Sequence, residues 1–95
     1  MGVMAATVAV RHTVEDFDSW KLGFEEHGTV RKEHGCIGET VLREAGSPNG
    51  VLVLTNWPSL KEARAFAEDP SLREAMKRAK VVGEPRIEFY EEATI

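Results

Sequence analysis

The chain is 95 residues long, 42% hydrophobic and 29% charged, with a net charge of −4. That bounds it to one folded domain, residues 1–95, whose small size would gain from a partner copy. The acidic balance excludes nucleic acid or an anionic membrane surface as the main partner, and no apolar run reaches the roughly 20 residues that span a bilayer.

Ala5 to Thr13 (ATVAVRHTV) is rich in Val and Thr with partial alternation and reads as a first strand. Glu15, Asp16 and Asp18 then supply the negative charge that a helix N-terminus favours. The helix is expected from Phe17 to His34, with Gly35 as its C-terminal stop. A second strand follows from Ile37 to Glu44, and GSPNG, Gly46 to Gly50, has the composition of a turn. Val51 to Trp57 is a third strand, apolar on both faces through its first four residues. Ser59 and Ser71 open the similar stretches SLKEA and SLREA, each with the Ser-x-x-Glu spacing of a capping box. Pro70 divides that region into two short helices. A last strand is expected from Arg86 to Glu92, after VVGEP.

The order β-α-β-β-α-β predicts a ferredoxin-like α+β domain: a four-stranded antiparallel sheet with the first and third strands central. Helices in such a domain cover one sheet face. Val51, Leu52, Val53 and Leu54 nevertheless point apolar groups to both sides, which predicts a homodimer packed sheet to sheet.

A single cysteine, Cys36, excludes an internal disulfide framework and suits a reducing cytoplasm, and no signal peptide is visible. One Cys and three scattered His residues argue against structural zinc, and no metal is expected. The glycines form neither a dinucleotide fingerprint nor a phosphate loop. Met1-Gly2 opens like a myristoylation signal, but Ala6 stands where Ser or Thr is needed. Ser59 and Ser71 read as helix caps rather than nucleophiles.

The segments RHTVEDFDSWK, EEH, SPNGVLVL, ARAFAEDPSLREAM and VVGEP resemble the dimeric α+β barrel superfamily. Within it, the chain is similar to small proteins related to antibiotic biosynthesis monooxygenases. The resemblance implies a dimeric barrel and cofactor-free oxygenation, or a related cyclisation or isomerisation, in secondary metabolism. Haem-degrading members of the superfamily hold iron through a histidine on the second helical segment. Ser59 to Lys80 contains none, so a haem role of that type is not expected.

Candidate site residues cluster on the first helix. At 3.6 residues per turn Phe17, Trp20, Phe24, His27 and Arg31 share one sector, and His27 and Arg31 are four residues apart. A buried arginine there is costly unless paired or facing a wet cavity, although its stem could also snorkel outward near the helix end. His27 could equally do no more than bond a backbone carbonyl. His12 shares a strand face with Val8 and Val10 and could bracket a ligand with His27. Trp20, Phe24, Trp57, Phe66, Met76 and Tyr90 are candidate walls for an aromatic ligand. Asn56 and Arg64 fall nearby, with directions the sequence leaves open. His34 is expected at the surface, and Cys36 reads as filler.

The leading expectation is a small cytoplasmic homodimeric enzyme acting without cofactors on an aromatic or polyketide-like substrate. His27, assisted by His12, would remove a proton, and Arg31 would stabilise the resulting anion. The alternative is a non-catalytic homodimer that binds a small hydrophobic ligand or serves as an accessory protein.

Overall fold

The computed structural model describes residues 5–93. Met1 and Gly2, considered above for myristoylation, lie outside the described residues. Strand β1 (Ala6–Val14) leads to helices α1 (Phe17–Glu26) and α2 (Gly28–Glu33), then to strands β2 (Gly38–Glu44) and β3 (Ser47–Trp57). Helices α3 (Leu60–Glu68) and α4 (Pro70–Arg78) and strand β4 (Val81–Glu91) complete the fold. All neighbouring strands are antiparallel, in the order β2-β3-β1-β4, so β1 and β3 are central as expected.

Strand register sorts the side chains. Val8 lies opposite Thr55 and Phe89, and Val10 opposite Val53 and Ile87, so even-numbered β1 residues meet the helices. The core builds on that face: Trp57 is fully buried, and Val8, Val14 and Val51 are nearly so. Each such side chain contributes about 1.5–3 kcal/mol by leaving water. The opposite face presents Ala9, Leu52, Leu54, Leu42 and Tyr90, the last two about half exposed.

Four boundaries differ from expectation. The first helix is not continuous to His34. It breaks at His27, whose ψ of −3° departs from helical geometry, beside Gly28 with its lower helix propensity of about 1 kcal/mol. GSPNG is mostly strand. The turn needs only Ala45 and Gly46, the latter at φ 80°, which closes a two-residue hairpin between Glu44 and Ser47. β4 begins at Val81 rather than Arg86, because a bulge containing Gly83 at φ 72° lets VVGEP stay in the sheet.

The fourth difference concerns a cap. Asp69, not Ser71, caps α4, accepting the Ser71 amide at 2.8 Å. Pro70 at the first helical position disfavours helical geometry at Asp69, which is the extended conformation a cap needs. Ser71 is thereby moved into the first turn with its hydroxyl free for other work. Ser59 does sit at the cap position of α3, but its hydroxyl donates to the Glu62 carboxylate rather than taking a backbone amide.

Candidate functional site

A cavity of about 60 Å³ lies between α1, α4 and the sheet. Its lining is mostly apolar, and into it converge His12, His27 and Arg31, with Trp20, Phe24, Phe66 and Met76 among its walls. Gly23 favours the enclosure: a Cβ there would stand 3.1 Å from the Cβ of Ala79, so any other residue would push α1 and the end of α4 apart by a few tenths of an ångström. The volume is small beside the roughly 300–1,000 Å³ of a typical ligand pocket, so a ring-sized ligand would need half-buried Phe24 or Met76 to move aside.

His12 is 7% exposed, and neither of its ring nitrogens has a hydrogen-bond partner. Its ring lies 5.5 Å from that of Trp20. Burial pulls its pKa from 6.5 down to about 4, so at neutral pH it presents one N–H donor and one bare nitrogen. The sheet itself is irregular here. Arg11 pairs with Arg86 and Thr13 with Val82, leaving Gly83, Glu84 and Pro85 to bulge opposite His12, which pairs with Val51 on β3 but has no register partner on β4. Bulges of this kind re-aim side chains and are common beside functional sites.

His27 occupies the jog between α1 and α2 and is 6% exposed. Its Nε2 lies 3.0 Å from Ser71 Oγ, and its ring packs 5.8 Å from Phe66. Burial lowers its pKa first, the Arg31 charge adds to this, and Asp69 partly opposes both. His27 is therefore also neutral at physiological pH.

Arg31 is 4% exposed and does not snorkel outward. Its Nε donates to Glu39 Oε2 at 2.6 Å, one Nη donates to the Phe24 carbonyl at 2.8 Å, and its guanidinium lies 3.7 Å above the Phe24 ring. Its charge is thus met by Glu39 before any ligand arrives, which makes it a weaker anion stabiliser than the sequence suggests.

Two predicted wall residues stand elsewhere. Tyr90 lies opposite Thr7 on the other sheet face and is 52% exposed, because the alternation that turns Ile87 and Phe89 inward turns Tyr90 outward. Trp57 is beneath the cavity rather than in its wall. It stacks on Phe66 at 4.8 Å and donates Nε1–H to Thr55 Oγ1 at 2.8 Å, fixing the floor. Asn56 also faces away, accepting from the Thr7 hydroxyl, and Arg64 lies over Phe89. His34 is not at the surface as expected: it is half-buried, with Nε2 2.7 Å from Asp69 Oδ2. Cys36 donates its thiol to the Gly38 carbonyl at 3.3 Å.

Ser71, Glu39 and Thr55 were missed from sequence. The signal for Ser71 was the Asp-Pro dipeptide before it, which supplies a better cap and frees the serine. Among the described residues no cluster of three His, Cys, Asp or Glu side chains is arranged to hold a metal, and no helix is long and apolar enough to cross a membrane.

The fold is a ferredoxin-like α+β domain whose helices roof an apolar, histidine-bearing cavity. The chain belongs to the antibiotic biosynthesis monooxygenase family, whose sequence profile matches residues 6–78. Among solved structures it is similar to SnoaB, a cofactor-independent oxygenase from Streptomyces nogalater. That match has a TM-score of 0.78 at 15% identity and covers 98% of this chain and 97% of that one. A Bordetella bronchiseptica protein assigned to antibiotic biosynthesis monooxygenases matches at 0.78 and 12% identity, over 96% and 99% of the two chains. A monooxygenase from the ActVA-Orf6 gene of Streptomyces coelicolor, solved with nanaomycin D, matches at 0.68 and 20% identity, over 97% and 90%. No curated protein matches the sequence significantly.

Proposed function

We propose that the protein is a small cofactor-independent enzyme of secondary metabolism that removes a proton from an aromatic or polyketide-like substrate in this cavity. The observation that carries the proposal is the convergence of two neutral, buried histidines on one apolar space, one of them without any partner. A neutral imidazole can accept a proton where an imidazolium cannot. His27 is the base, and His12 hydrogen-bonds the substrate oxygen whose enolate or phenolate forms. In the oxygenase version the anion is oxidised by dioxygen: an aromatic C–H para to the hydroxyl becomes a carbonyl, and the second oxygen atom leaves as water. In the cyclase or isomerase version the same anion attacks or reprotonates within the substrate. Kinship with SnoaB, named a cofactor-independent oxygenase, favours the first version.

The active form we propose is a homodimer in which the second copy covers Ala9, Leu52, Leu54, Leu42 and Tyr90. The engaged state of Arg31 and the small cavity favour the second reading, a homodimer that binds a small hydrophobic ligand without turning it over. Incubation with hydroxylated aromatic polyketides in air, without added cofactors, separates the two. Oxygen uptake with product formation supports an oxygenase, product without uptake supports a cyclase or isomerase, and binding alone supports the second reading.

A further inference from the structure

We propose that Thr55 is a specificity-determining residue of the cavity: its hydroxyl donates a hydrogen bond to a carbonyl oxygen of the bound substrate, at the end away from His12. The inference rests on the cavity being where that substrate binds.

The direction of the bond follows from a neighbour. Trp57 Nε1 lies 2.8 Å from Thr55 Oγ1, and the two residues are 0% and 2% exposed. An indole N–H donates and cannot accept, so Thr55 Oγ1 is the acceptor in that bond. A hydroxyl carries one proton, and that of Thr55 is left to give. Among the described residues the Trp57 indole is the one hydrogen-bond partner of the Thr55 side chain. The indole is itself held in place, because Trp57 stacks on Phe66 at 4.8 Å. Backbone groups nearby are engaged elsewhere: Thr55 sits mid-sheet, paired with Val8 on β1 and with Glu39 on β2. Rotating the hydroxyl changes where its proton points, but Thr55 remains a donor.

Thr55 and His12 stand among the residues lining one cavity, on the helix-facing side of neighbouring central strands. His12 is opposite Val51 and Thr55 opposite Val8, with the Val10–Val53 pair between them. That separation is four residues of strand, about 13 Å. One oxygen cannot reach both. A ligand that satisfies the donor of Thr55 and the unpartnered ring of His12 is an extended molecule, apolar in the middle, with an oxygen at each end. A hydrocarbon of the same shape would leave the buried donor of Thr55 unmade, and sites of this kind reject such analogues.

The test compares acetophenone with α-methylstyrene, which replaces the carbonyl oxygen with a methylene group of similar shape. His12→Leu in the full chain is the background, so that the imidazole does not compete for the probe's single oxygen. NMR titration gives the dissociation constants, and shifts at cavity residues locate the probes. Adding Thr55→Val should weaken acetophenone binding about two- to tenfold, the range for one neutral hydrogen bond, without weakening α-methylstyrene. Thr55→Ser keeps the hydroxyl and should keep acetophenone's advantage. Thr55→Val also deprives the Trp57 indole of its acceptor. Should that variant fail to fold, the infrared carbonyl stretch of acetophenone bound to His12→Leu carries the test, and it should lie below its position in an alkane solvent. An alkane-like stretch, or acetophenone binding no more sensitive to Thr55→Val than α-methylstyrene binding, would overturn the role of Thr55 and leave the cavity as the ligand site. Binding of neither probe, or shifts confined to residues outside the cavity, would sink the cavity reading and this inference with it.

Discussion

His12 packs its ring 5.5 Å from that of Trp20, and neither of its nitrogens has a hydrogen-bond partner. A buried polar group left unmade costs about 1–3 kcal/mol, and the surrounding core gives nothing back. Such a group persists where a ligand completes it. The chain therefore carries an unsatisfied polar side chain that weakens the protein and stands among the residues lining the cavity.

It follows that His12→Leu should stabilise the protein by about 1 kcal/mol, because an apolar group of similar size replaces an unsatisfied one. For a domain of this length that raises Tm by about 4–8 °C. Turnover or ligand affinity should fall in the same variant. Thermal unfolding and an activity assay on one preparation check both halves, and a lowered Tm would show that His12 has a partner after all.

Stability should also depend on pH in a defined window. The folded pKa of His12 is about 4 against 6.5 in the unfolded chain, so between those values the unfolded chain binds the extra proton. Stability should thus fall as pH drops from 6.5 to 4, by up to about 3 kcal/mol from this residue, and then level. His27 shifts in the same direction. Asp69 acts elsewhere: its stabilising contribution is present above the unfolded value of 3.8 and is lost as pH falls through about 2. Unfolding curves at pH 4, 5, 6.5 and 7.5 should show the slope, and His12→Leu should flatten much of it.

Gly23 should tolerate little. A larger side chain meets Ala79 on α4, where both contacting groups are close to backbone and cannot swing away. Gly23→Val should cost about 1–3 kcal/mol by overpacking and should abolish ligand binding by closing the cavity. Chemical denaturation and ligand-induced changes in Trp20 fluorescence measure the two effects. Undiminished binding would place the ligand elsewhere.

Glu39 tests what Arg31 does. Glu39→Gln removes the carboxylate beside a buried guanidinium while keeping an acceptor in place. The variant should lose about 1–2 kcal/mol, less than for a fully buried pair because Glu39 is 42% exposed. It should also bind benzoate more tightly than the wild type, since the freed charge then seeks an anion. Unchanged benzoate affinity would leave Arg31 a purely structural residue.

Much of this architecture was legible in the sequence. Alternation in ATVAVRHTV placed His12 beside Val8 and Val10, and the 3.6-residue spacing placed His27 and Arg31 with the aromatics; all three reach one cavity. The same alternation in RIEFYE could have excluded Tyr90, since Ile87 and Phe89 already claim the inner face. What could not be read were outcomes of competition between neighbours. Asp69 and Ser71 both suit a cap, and Pro70 decides between them through its effect on the preceding residue. Glu39 looks like an ordinary strand charge until the register sets it under Arg31. The bulge beside His12 depends on tertiary pairing that spans seventy residues of chain and leaves only Gly83 and Pro85 as local signs.

The central claim is that His27 accepts the proton that starts the reaction. The most direct measurement is oxygen uptake and product formation from a hydroxylated aromatic polyketide, without added cofactors, by the wild-type protein and by His27→Ala. Unfolding curves and sedimentation would first establish that fold and assembly are unchanged in the variant. The account predicts turnover by the wild type and none above background by His27→Ala. Equal turnover by the two proteins would contradict it.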